Sequence, residues 1–282
     1  MSNTTSINSE LFANLVTQAQ YAAYETSVAR QLVTVFDAPM NTGKVLQVPV
    51  WSGISAELIT DESAANAKNT ETSSALITLN EHVVYHQITD MLRDSAYNDV
   101  FAQIGDQSGR AIAESLDTQV FSQFADFGSD LGASGHELVV EDILKAAATL
   151  RGRKLTGPFF AVVHPGQAFN LKKQLTGTLS AMGPMNVPAL SNVGNSVLEG
   201  FYIGQVAGVQ IFESSLVGVS GNNAVAGVFA PNAIGHAMRG GIDMNTLYLP
   251  SARATDVVLK AVAGAKVLNS TFGVKITADI QL

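Results

Sequence analysis

The sequence predicts an α+β fold in which strands and helices are segregated along the chain. Runs of β-branched and aromatic residues at Val45–Trp51 and Leu76–Ile88 are typical of strands. Between residues 94 and 127, apolar residues recur at three- and four-residue steps, which predicts one long amphipathic helix. The apolar run Phe159–Val163 then lies between two helical patterns and adds a helix–strand–helix unit.

Apolar residues before residue 36 are spaced as on a helix. They predict a helical or partly helical arm over residues 8–35, behind a polar tip, that packs on a neighbouring molecule. The spaced positions are Leu11, Leu15, Ala19, Ala22, Val28 and Leu32.

The two predicted strands that follow are joined by a polar stretch with almost nothing to bury. Such a ribbon is only marginally stable alone, so the pattern predicts an extended β-arm that needs a partner surface. A long hairpin lying on its own domain is the alternative.

The long helix is predicted to run from Asp94 to Phe127, a span of about 50 Å at 1.5 Å per residue. Gly105 and Gly109 are expected to weaken it locally and to permit a bend. The face opposite the apolar stripe is acidic, and we expect it to be solvated. Its acidic residues are Asp94, Asp99, Asp106, Glu114, Asp117 and Asp126.

The second half of the chain predicts shorter elements. A helix over 137–154 has its acids early and its bases late, which suits the helix dipole. Gly, Pro, Asn, Ser and Met dominate Thr176–Gly200, which predicts a long loop. The remaining predictions are a His164-Pro165-Gly166 turn before a short helix, strands in Phe201–Ser214 and Ala224–Pro231, a turn of helix over 232–238, and two closing strands broken near Asn269.

Composition limits the function. The chain has 282 residues, enough for one large core or two domains. Only 14% are charged, against about 25% in an average protein. This low charge suits either a chain that buries its outside against copies of itself or an enzyme with a neutral surface. The formal charge of −8 gives no basic field for binding nucleic acid through its phosphates.

The sequence contains no cysteine, which excludes disulfides, a thiolate nucleophile and cysteine-ligated metals. The first ten residues lack the basic and apolar regions of a secretory signal, and no stretch is apolar enough to span a membrane. We therefore expect synthesis in the cytoplasm.

Histidines are the candidate catalytic or metal-binding residues, but none completes a motif. His82 and His86 lie on a predicted strand, where that spacing separates them by about 13 Å, too far to share a metal. We expect both to be exposed. His164 and His236 are isolated in sequence, so either would need a remote carboxylate for catalysis.

Paired carboxylates and a basic cluster have simple structural interpretations. Loop solvation explains Asp61-Glu62, and helix capping explains Glu141-Asp142. The basic cluster complements a helix dipole, or contacts nucleic acid or an acidic neighbouring subunit. It comprises Arg151, Arg153, Lys154, Lys172 and Lys173. No catalytic, cofactor-binding or metal-binding residue, and no cofactor, is predicted.

The order of these parts resembles the HK97-fold major capsid proteins of tailed bacteriophages. The stretches FFAVVHPGQAFNLKKQL, GFYIGQVAGVQIFES and AGVFAPNAIGHAM are also similar to that family. The resemblance implies an α+β HK97-like fold with five parts. They are an N-terminal arm (1–40), an extended β-hairpin E-loop (41–90), a peripheral domain with the spine helix (91–136), an α+β axial domain (137–250), and strands returning to the peripheral domain (251–282).

The resemblance also implies a function. The protein would be a structural subunit, not an enzyme, that self-assembles as pentamers and hexamers into the icosahedral phage head around double-stranded DNA. Its place would be the virion, with synthesis in the host cytoplasm and no membrane partner. The chain lacks the long charged N-terminal extension that serves some members as a fused scaffolding domain, which implies a separate scaffolding protein or none. Portal and decoration proteins would be further partners. Some members place a cross-linking lysine near the position of Lys68, although most do not cross-link.

Two alternatives remain at this point. One is an encapsulin-like shell of a cellular nanocompartment, which encloses a cargo enzyme. The other is a cofactor-independent α+β enzyme that uses His164 or His236. Electron microscopy separates shells from a small enzyme. If the capsid hypothesis is right, residues 52–75 contact another subunit. Their deletion should then leave folded protein that assembles poorly.

Overall fold

A computed structural model describes most of the chain. The described residues are 15–23, 27–41, 43–51, 72–95, 100–181 and 202–280, with single positions at 53, 56 and 58. Within them the fold is α+β, as predicted.

The helices within these ranges are α1 (15–23), α2 (Ala29–Leu32), α3 (Asp90–Ser95), α4 (Val100–Phe121), α5 (Val140–Gly152) and α6 (Pro165–Ala181). The strands are β1 (Thr34–Asp37), β2 (Val45–Trp51), β3 (Thr72–Thr78), β4 (Asn80–Thr89), β5 (Phe159–Val163), β6 (Tyr202–Val206), β7 (Val209–Glu213), β8 (Val219–Ser220), β9 (Asn223–Phe229), β10 (Ile234–Leu249), β11 (Ala254–Val267) and β12 (Gly273–Asp279).

A four-stranded sheet in the order β1-β10-β11-β4 carries the long helix α4. Apart from the parallel pair β1 and β10, its strands are antiparallel. Alternate residues of β11, such as Val257, Leu259 and Ala261, are buried in one cluster with Ile112 and Leu116 of α4. The apolar stripe that predicts the helix is therefore the stripe that covers this sheet.

A six-stranded sheet in the order β12-β9-β5-β7-β6, with β8 beside β9, carries α5. Its central strand β5 is apolar throughout because both of its faces are covered. Phe159 and Ala161 lie in the cluster that includes Ile143 and Leu150 of α5. Val162 points to a second cluster, shared with α4.

The aromatic core between the two sheets is a cluster of four phenylalanines. Phe124 lies at its centre, with ring centroids 5.5 Å from Phe121, 5.8 Å from Phe127 and 5.4 Å from Phe229. Gly227 makes room for it, since a Cβ there would lie 2.7 Å from the Phe124 ring. These rings join the end of α4 to β9.

Within the described residues the chain passes between the two sheets three times: after α4, between β9 and β10, and between β11 and β12. Backbone hydrogen bonds tie these connections together. Gly128 N–H donates to Ser270 O (3.0 Å), Leu268 N–H to Ala233 O (2.8 Å) and Ala230 N–H to Phe272 O (3.1 Å). The three connections therefore form one joint.

The closing strands differ from the prediction in their destination. They do break after Asn269, at a turn of 3-10 helix over Ser270–Phe272. However, β11 pairs with β4 and β10, whereas β12 pairs with β9 in the other sheet. The two strands therefore do not return together to one sheet.

Two further predictions of strand and helix were wrong in part. Leu76–Ile88 is two strands, because β3 pairs with β2 while β4 pairs with β11, and the chain changes partner at Leu79. The predicted turn of helix over 232–238 reduces to a 3-10 turn at Pro231–Ala233. From Ile234 the chain is a strand, since β1 and β11 pair with it on both sides.

The helix lengths also differ from the prediction. The helix predicted over 94–127 is α4, Val100–Phe121, followed by a turn of 3-10 helix, while Asp94 lies in α3. Helix α6 is longer than predicted, because Thr176–Ala181 of the predicted loop continue it. Residues 182–200 of that loop lie outside the described residues.

The two glycines of α4 face α1. A Cβ on Gly105 would lie 2.9 Å from Leu15 O, and a Cβ on Gly109 would collide with Ala19 O. The two helices run side by side in the same direction, with matched steps of four residues. Both glycines therefore permit a close backbone contact. The structure also shows that residues 15–23 pack on the chain's own long helix, where the sequence predicted a neighbouring molecule.

Gly109→Ala is expected to lower the free energy of unfolding, because the added methyl group must displace α1. Overpacking costs about 1–3 kcal/mol, and a gain of about 1 kcal/mol in helix propensity offsets only part of it. Urea denaturation followed by circular dichroism measures the change. Gly152→Ala in α5 is the matched control, since a methyl group there meets nothing within 4 Å. Equal effects of the two substitutions would contradict the close contact.

Candidate functional site

Strands β2 and β3 form a separate two-stranded ribbon, paired from Val45↔Thr78 at its base to Trp51↔Thr72 at its far end. The base is fixed to the four-stranded sheet. Ile77 of β3 is fully buried in a cluster with Ala237 of β10, and Leu46 of β2 packs against it. The ribbon therefore has a fixed base and a far end outside both sheets.

The ribbon carries large apolar side chains that its own chain leaves exposed. Trp51 is 68% exposed and Leu76 55% exposed. Pro49 has no N–H to donate, so it blunts the edge of β2 against further strand pairing. An exposed apolar surface on a two-stranded ribbon favours burial by another chain through side chains.

Most of the predicted contact segment 52–75 lies outside the described residues, and so do Asp61, Glu62 and Lys68. Its last four residues belong to β3. Whether this segment contacts another subunit stays a prediction.

The acidic face of the long helix is not wholly solvated, because Asp117 is buried. Its carboxylate accepts hydrogen bonds from Ser27 Oγ (2.7 Å) and from the backbone N–H groups of Val28 (2.9 Å) and Ala29 (3.3 Å). Burial raises its pKa, and the three hydrogen bonds act in the opposite direction. Asp117 thus fastens the start of α2 to α4, a contact that bridges about 90 residues of sequence.

His236 lies on β10, opposite Val35 of β1 and Ala265 of β11. It is only 3% exposed, and neither ring nitrogen has a hydrogen-bond partner within the described residues. Burial lowers its pKa to about 4, and the charges of Arg30 and His82 add to this effect. His236 is therefore a neutral imidazole at pH 7.

His82 and His86 are half-buried, not exposed as predicted, because their face of β4 lies against α4. His82 shares hydrogen bonds with Ser115 Oγ (2.7 Å) and Gln119 Oε1 (3.3 Å). His86 Nε2 lies 3.0 Å from Ser108 Oγ. Both histidines therefore connect the sheet to its helix. Across the described residues, no group of three metal-ligating side chains is close enough to hold an ion.

His164 follows β5, and its Nδ1 accepts a hydrogen bond from the N–H of Gly166 (3.2 Å). Burial lowers its pKa, while the charge of Glu213 acts in the opposite direction. Glu213 itself pairs with Lys172 at 2.9 Å. In the part of the chain that the structure describes, neither His164 nor His236 hydrogen-bonds a carboxylate, so the pair that the enzyme alternative requires is not formed there.

Two arginines of the basic cluster bind the chain's own loops. Arg151 donates to Ala207 O, and the Arg153 guanidinium donates to Thr271 O and Ser129 Oγ. These two arginines therefore hold the surroundings of α5 together. This internal role is one that the sequence did not indicate.

Helix capping by Asp142 is confirmed. Its carboxylate accepts from the N–H of Val139 (3.2 Å) and lies 3.3 Å from His136 Nε2. The neighbouring Glu141 pairs with Lys145 at 3.0 Å on the surface of α5.

The stability of the protein is expected to fall in acid because of His236. Its pKa is about 4 in the folded state and about 6.5 when unfolded. Between these values the unfolded state binds the extra proton, so about 3 kcal/mol of stability, present above pH 6.5, is lost as the pH falls to 4.

Urea denaturation of unassembled protein between pH 7 and 4.5 measures this loss. His236→Phe, which keeps a ring in place, should show a shallower decline, since the other four histidines are unchanged. Parallel pH profiles for the two proteins would show that His236 does not carry the effect.

Comparison with known proteins identifies the family of this chain. A model of the "Phage capsid protein" family matches residues 72–276. The chain matches no functionally curated protein in sequence. Within the described residues, no helix has the length and apolar character needed to cross a membrane.

Three solved structures share the fold. A chain of Mycobacterium phage Che8 is 18% identical with a TM-score of 0.64, over 83% of this chain and 85% of that one. The capsid of Ralstonia phage GP4 is 11% identical with a TM-score of 0.68, over 91% and 92%. A virus-like particle from Pyrococcus furiosus is 12% identical with a TM-score of 0.59, over 95% and 99%.

The predicted HK97-like capsid fold is therefore confirmed. Because the family match spans most of the sequence, this chain belongs to the phage capsid protein family, and it is a major capsid protein, a structural component of the bacteriophage virion and not an enzyme.

Proposed function

We propose that copies of this capsid protein join as pentamers and hexamers and close into the icosahedral head that encloses the double-stranded DNA of a tailed phage. The observation that carries the proposal is the β2–β3 ribbon. Its base is buried in its own subunit through Ile77, while Trp51 and Leu76 are exposed. A surface of this kind is stabilised when a second subunit covers it.

The parts of the fold take the roles that the family implies. The arm over 1–40 includes α1, α2 and β1, and the ribbon forms the E-loop. The four-stranded sheet with α4, to which the arm contributes β1, corresponds to the peripheral domain. The six-stranded sheet with α5 and α6 corresponds to the axial domain. On this division β4 and β10 belong to the peripheral domain and β12 to the axial domain. The sequence-based bounds had placed β4 in the E-loop, β10 in the axial domain and β12 among the strands that return to the peripheral domain.

The charge of the chain supports enclosure of DNA without tight binding. With a net charge of −8, the subunit offers no general attraction for phosphates. Two basic residues that could have contacted DNA, Arg151 and Arg153, bind carbonyl oxygens of their own chain. We propose synthesis in the host cytoplasm and separate scaffolding, portal and decoration proteins as partners.

The nanocompartment alternative is not better supported than the phage head. The family that matches residues 72–276 is a phage family.

Replacing residues 52–71 by an Asn-Gly turn tests whether the residues between β2 and β3 contribute to the contact with a second subunit. Trp51 and Thr72 are register partners, so a two-residue turn can join them without disturbing β2 or β3. We expect a folded subunit with an unchanged melting temperature that forms few or no shells. Electron microscopy and size-exclusion chromatography measure assembly.

The matched control places the same turn elsewhere. Ala207 and Gly208 join β6 to β7 with positive φ values of 52° and 82°, so Ala207→Asn creates an Asn-Gly turn there. This variant should assemble normally. Normal shells from the 52–71 replacement would refute a contact through residues 52–71 and leave the family assignment unaffected.

A further inference from the structure

The side chain of Arg153 binds the joint between the two sheets at the protein surface. Its guanidinium donates to the carbonyl oxygen of Thr271 and to Ser129 Oγ. These acceptors lie on different connections between the sheets, since Ser129 comes after α4 and Thr271 lies between β11 and β12. Arg153 therefore contacts two of the three described crossing segments at once.

The backbone of Arg153 is fixed to the six-stranded sheet. The residue caps the C-terminal end of α5, where its N–H donates to the carbonyl oxygens of Leu150 (3.2 Å) and Thr149 (3.3 Å). Leu150 and Ile143 of this helix are fully buried in the core that the helix shares with the sheet. Because the base of the side chain is fixed, its two hydrogen bonds tie the crossing segments to the six-stranded sheet.

The two segments that Arg153 binds also enter the aromatic core. Phe127, two residues before Ser129, is buried there, and Phe272, next to Thr271, packs against the same cluster. Each segment is therefore held at two points, by a ring in the core and by the guanidinium at the surface. One contact alone leaves a segment free to pivot, whereas two separated contacts fix its direction.

An arginine suits this role. Its guanidinium presents several N–H donors in a rigid planar fork, so one side chain can bind two acceptors at fixed positions. Lys275 of β12 adds a second contact nearby, since its Nζ donates to Ala125 O (3.4 Å) and lies 3.7 Å from the Asp130 carboxylate. A partly exposed ion pair contributes little to stability. Of these side-chain contacts, the two hydrogen bonds of Arg153 are therefore the stronger.

We propose that Arg153 is a positioning residue that holds the two sheets of the subunit at one angle, and that this angle determines the diameter of the shell. The second part rests on the assembly proposed above. A shell of identical subunits closes only if each subunit brings the same geometry to its contacts. Without the Arg153 guanidinium both sheets stay folded, because their strand pairs and cores consist of other residues.

The first test measures the angle in the full-length, unassembled chain. The sequence has no cysteine, so Ala148→Cys on α5 and Asn245→Cys on β10 attach one spin label beside each sheet, both at exposed positions. Double electron–electron resonance gives the distribution of distances between the labels. Arg153→Gln should broaden or shift this distribution. Hydrogen exchange at the joint N–H groups of Gly128 and Ala230 should become about fivefold faster, because the segments that they connect lose a charged donor.

Arg151→Gln is the matched control on the same helix. The Arg151 guanidinium donates to Ala207 O, in the turn that joins β6 to β7 inside the six-stranded sheet. Its loss removes the same kind of contact without touching the joint, so label distances and exchange at the joint should not change. Arg153→Lys keeps the charge but not the planar fork, so it should restore these properties only in part. If Arg153→Gln matches the unsubstituted chain in both measurements, the positioning role is overturned.

The second test measures shells by electron microscopy. We expect shells of Arg153→Gln to vary in diameter or to stay incomplete, while shells of Arg151→Gln keep the diameter of the unsubstituted protein. Shells of one unchanged diameter from Arg153→Gln would overturn the link between the angle and shell size. If the unsubstituted chain forms no shells, the proposed assembly fails and this link fails with it. The spin-label and exchange measurements then still decide whether Arg153 positions the two sheets.

Discussion

The aromatic core around Phe124 is the contact on which the two sheets depend. Helix α4 and strands β5, β9 and β10 contribute apolar residues to it, so each sheet buries part of its apolar surface against the other through these rings. Its packing is tight enough that Gly227 has no room for a methyl group. The helix that covers the four-stranded sheet and the strand at the heart of the six-stranded sheet are thereby held in one arrangement. The ribbon and the arm both take their positions from it.

A ribbon that we propose to be covered by a second subunit must be positioned by its own subunit without being buried in it. The β2–β3 ribbon achieves this with a buried base at Ile77 and an exposed end at Trp51. The arm helices, which pack on the chain's own long helix, are fixed in a different way. Helix α1 lies against α4 through the two glycine contacts, and α2 is fastened by hydrogen bonds to Asp117. These contacts fix the arm helices and leave space between them, α4 and β10, which is a cavity that His236 lines.

Local patterns were sufficient for short strands rich in β-branched and aromatic residues. The bounds of β2 and β5 agree with the apolar runs in the sequence, and the family followed from the order of the parts. What failed depended on distant partners. The strand over 76–88 divides because its halves pair with β2 and β11, a choice that composition does not encode. The sequence predicted Asp117 to be one more exposed acidic residue, since its hydrogen-bond partners lie about 90 residues away along the chain. His236 was predicted to lie in a helical turn, but it lies in a strand because β10 pairs with a strand on each side. Gly105 and Gly109 were predicted only to weaken the helix, because the helix α1 that packs on them is equally distant in sequence.

The joint between the two sheets also has a mechanical consequence. Three separate chain segments cross it, and backbone hydrogen bonds connect them to one another. Three parallel tethers resist sliding and twisting, because either motion must shear the bonds between them. Tilting about the line that they define would need only small dihedral changes in each segment, but it would separate the rings packed around Phe124. The joint and the aromatic core together therefore fix the angle between the two sheets, and with it the curvature that each subunit brings to the shell.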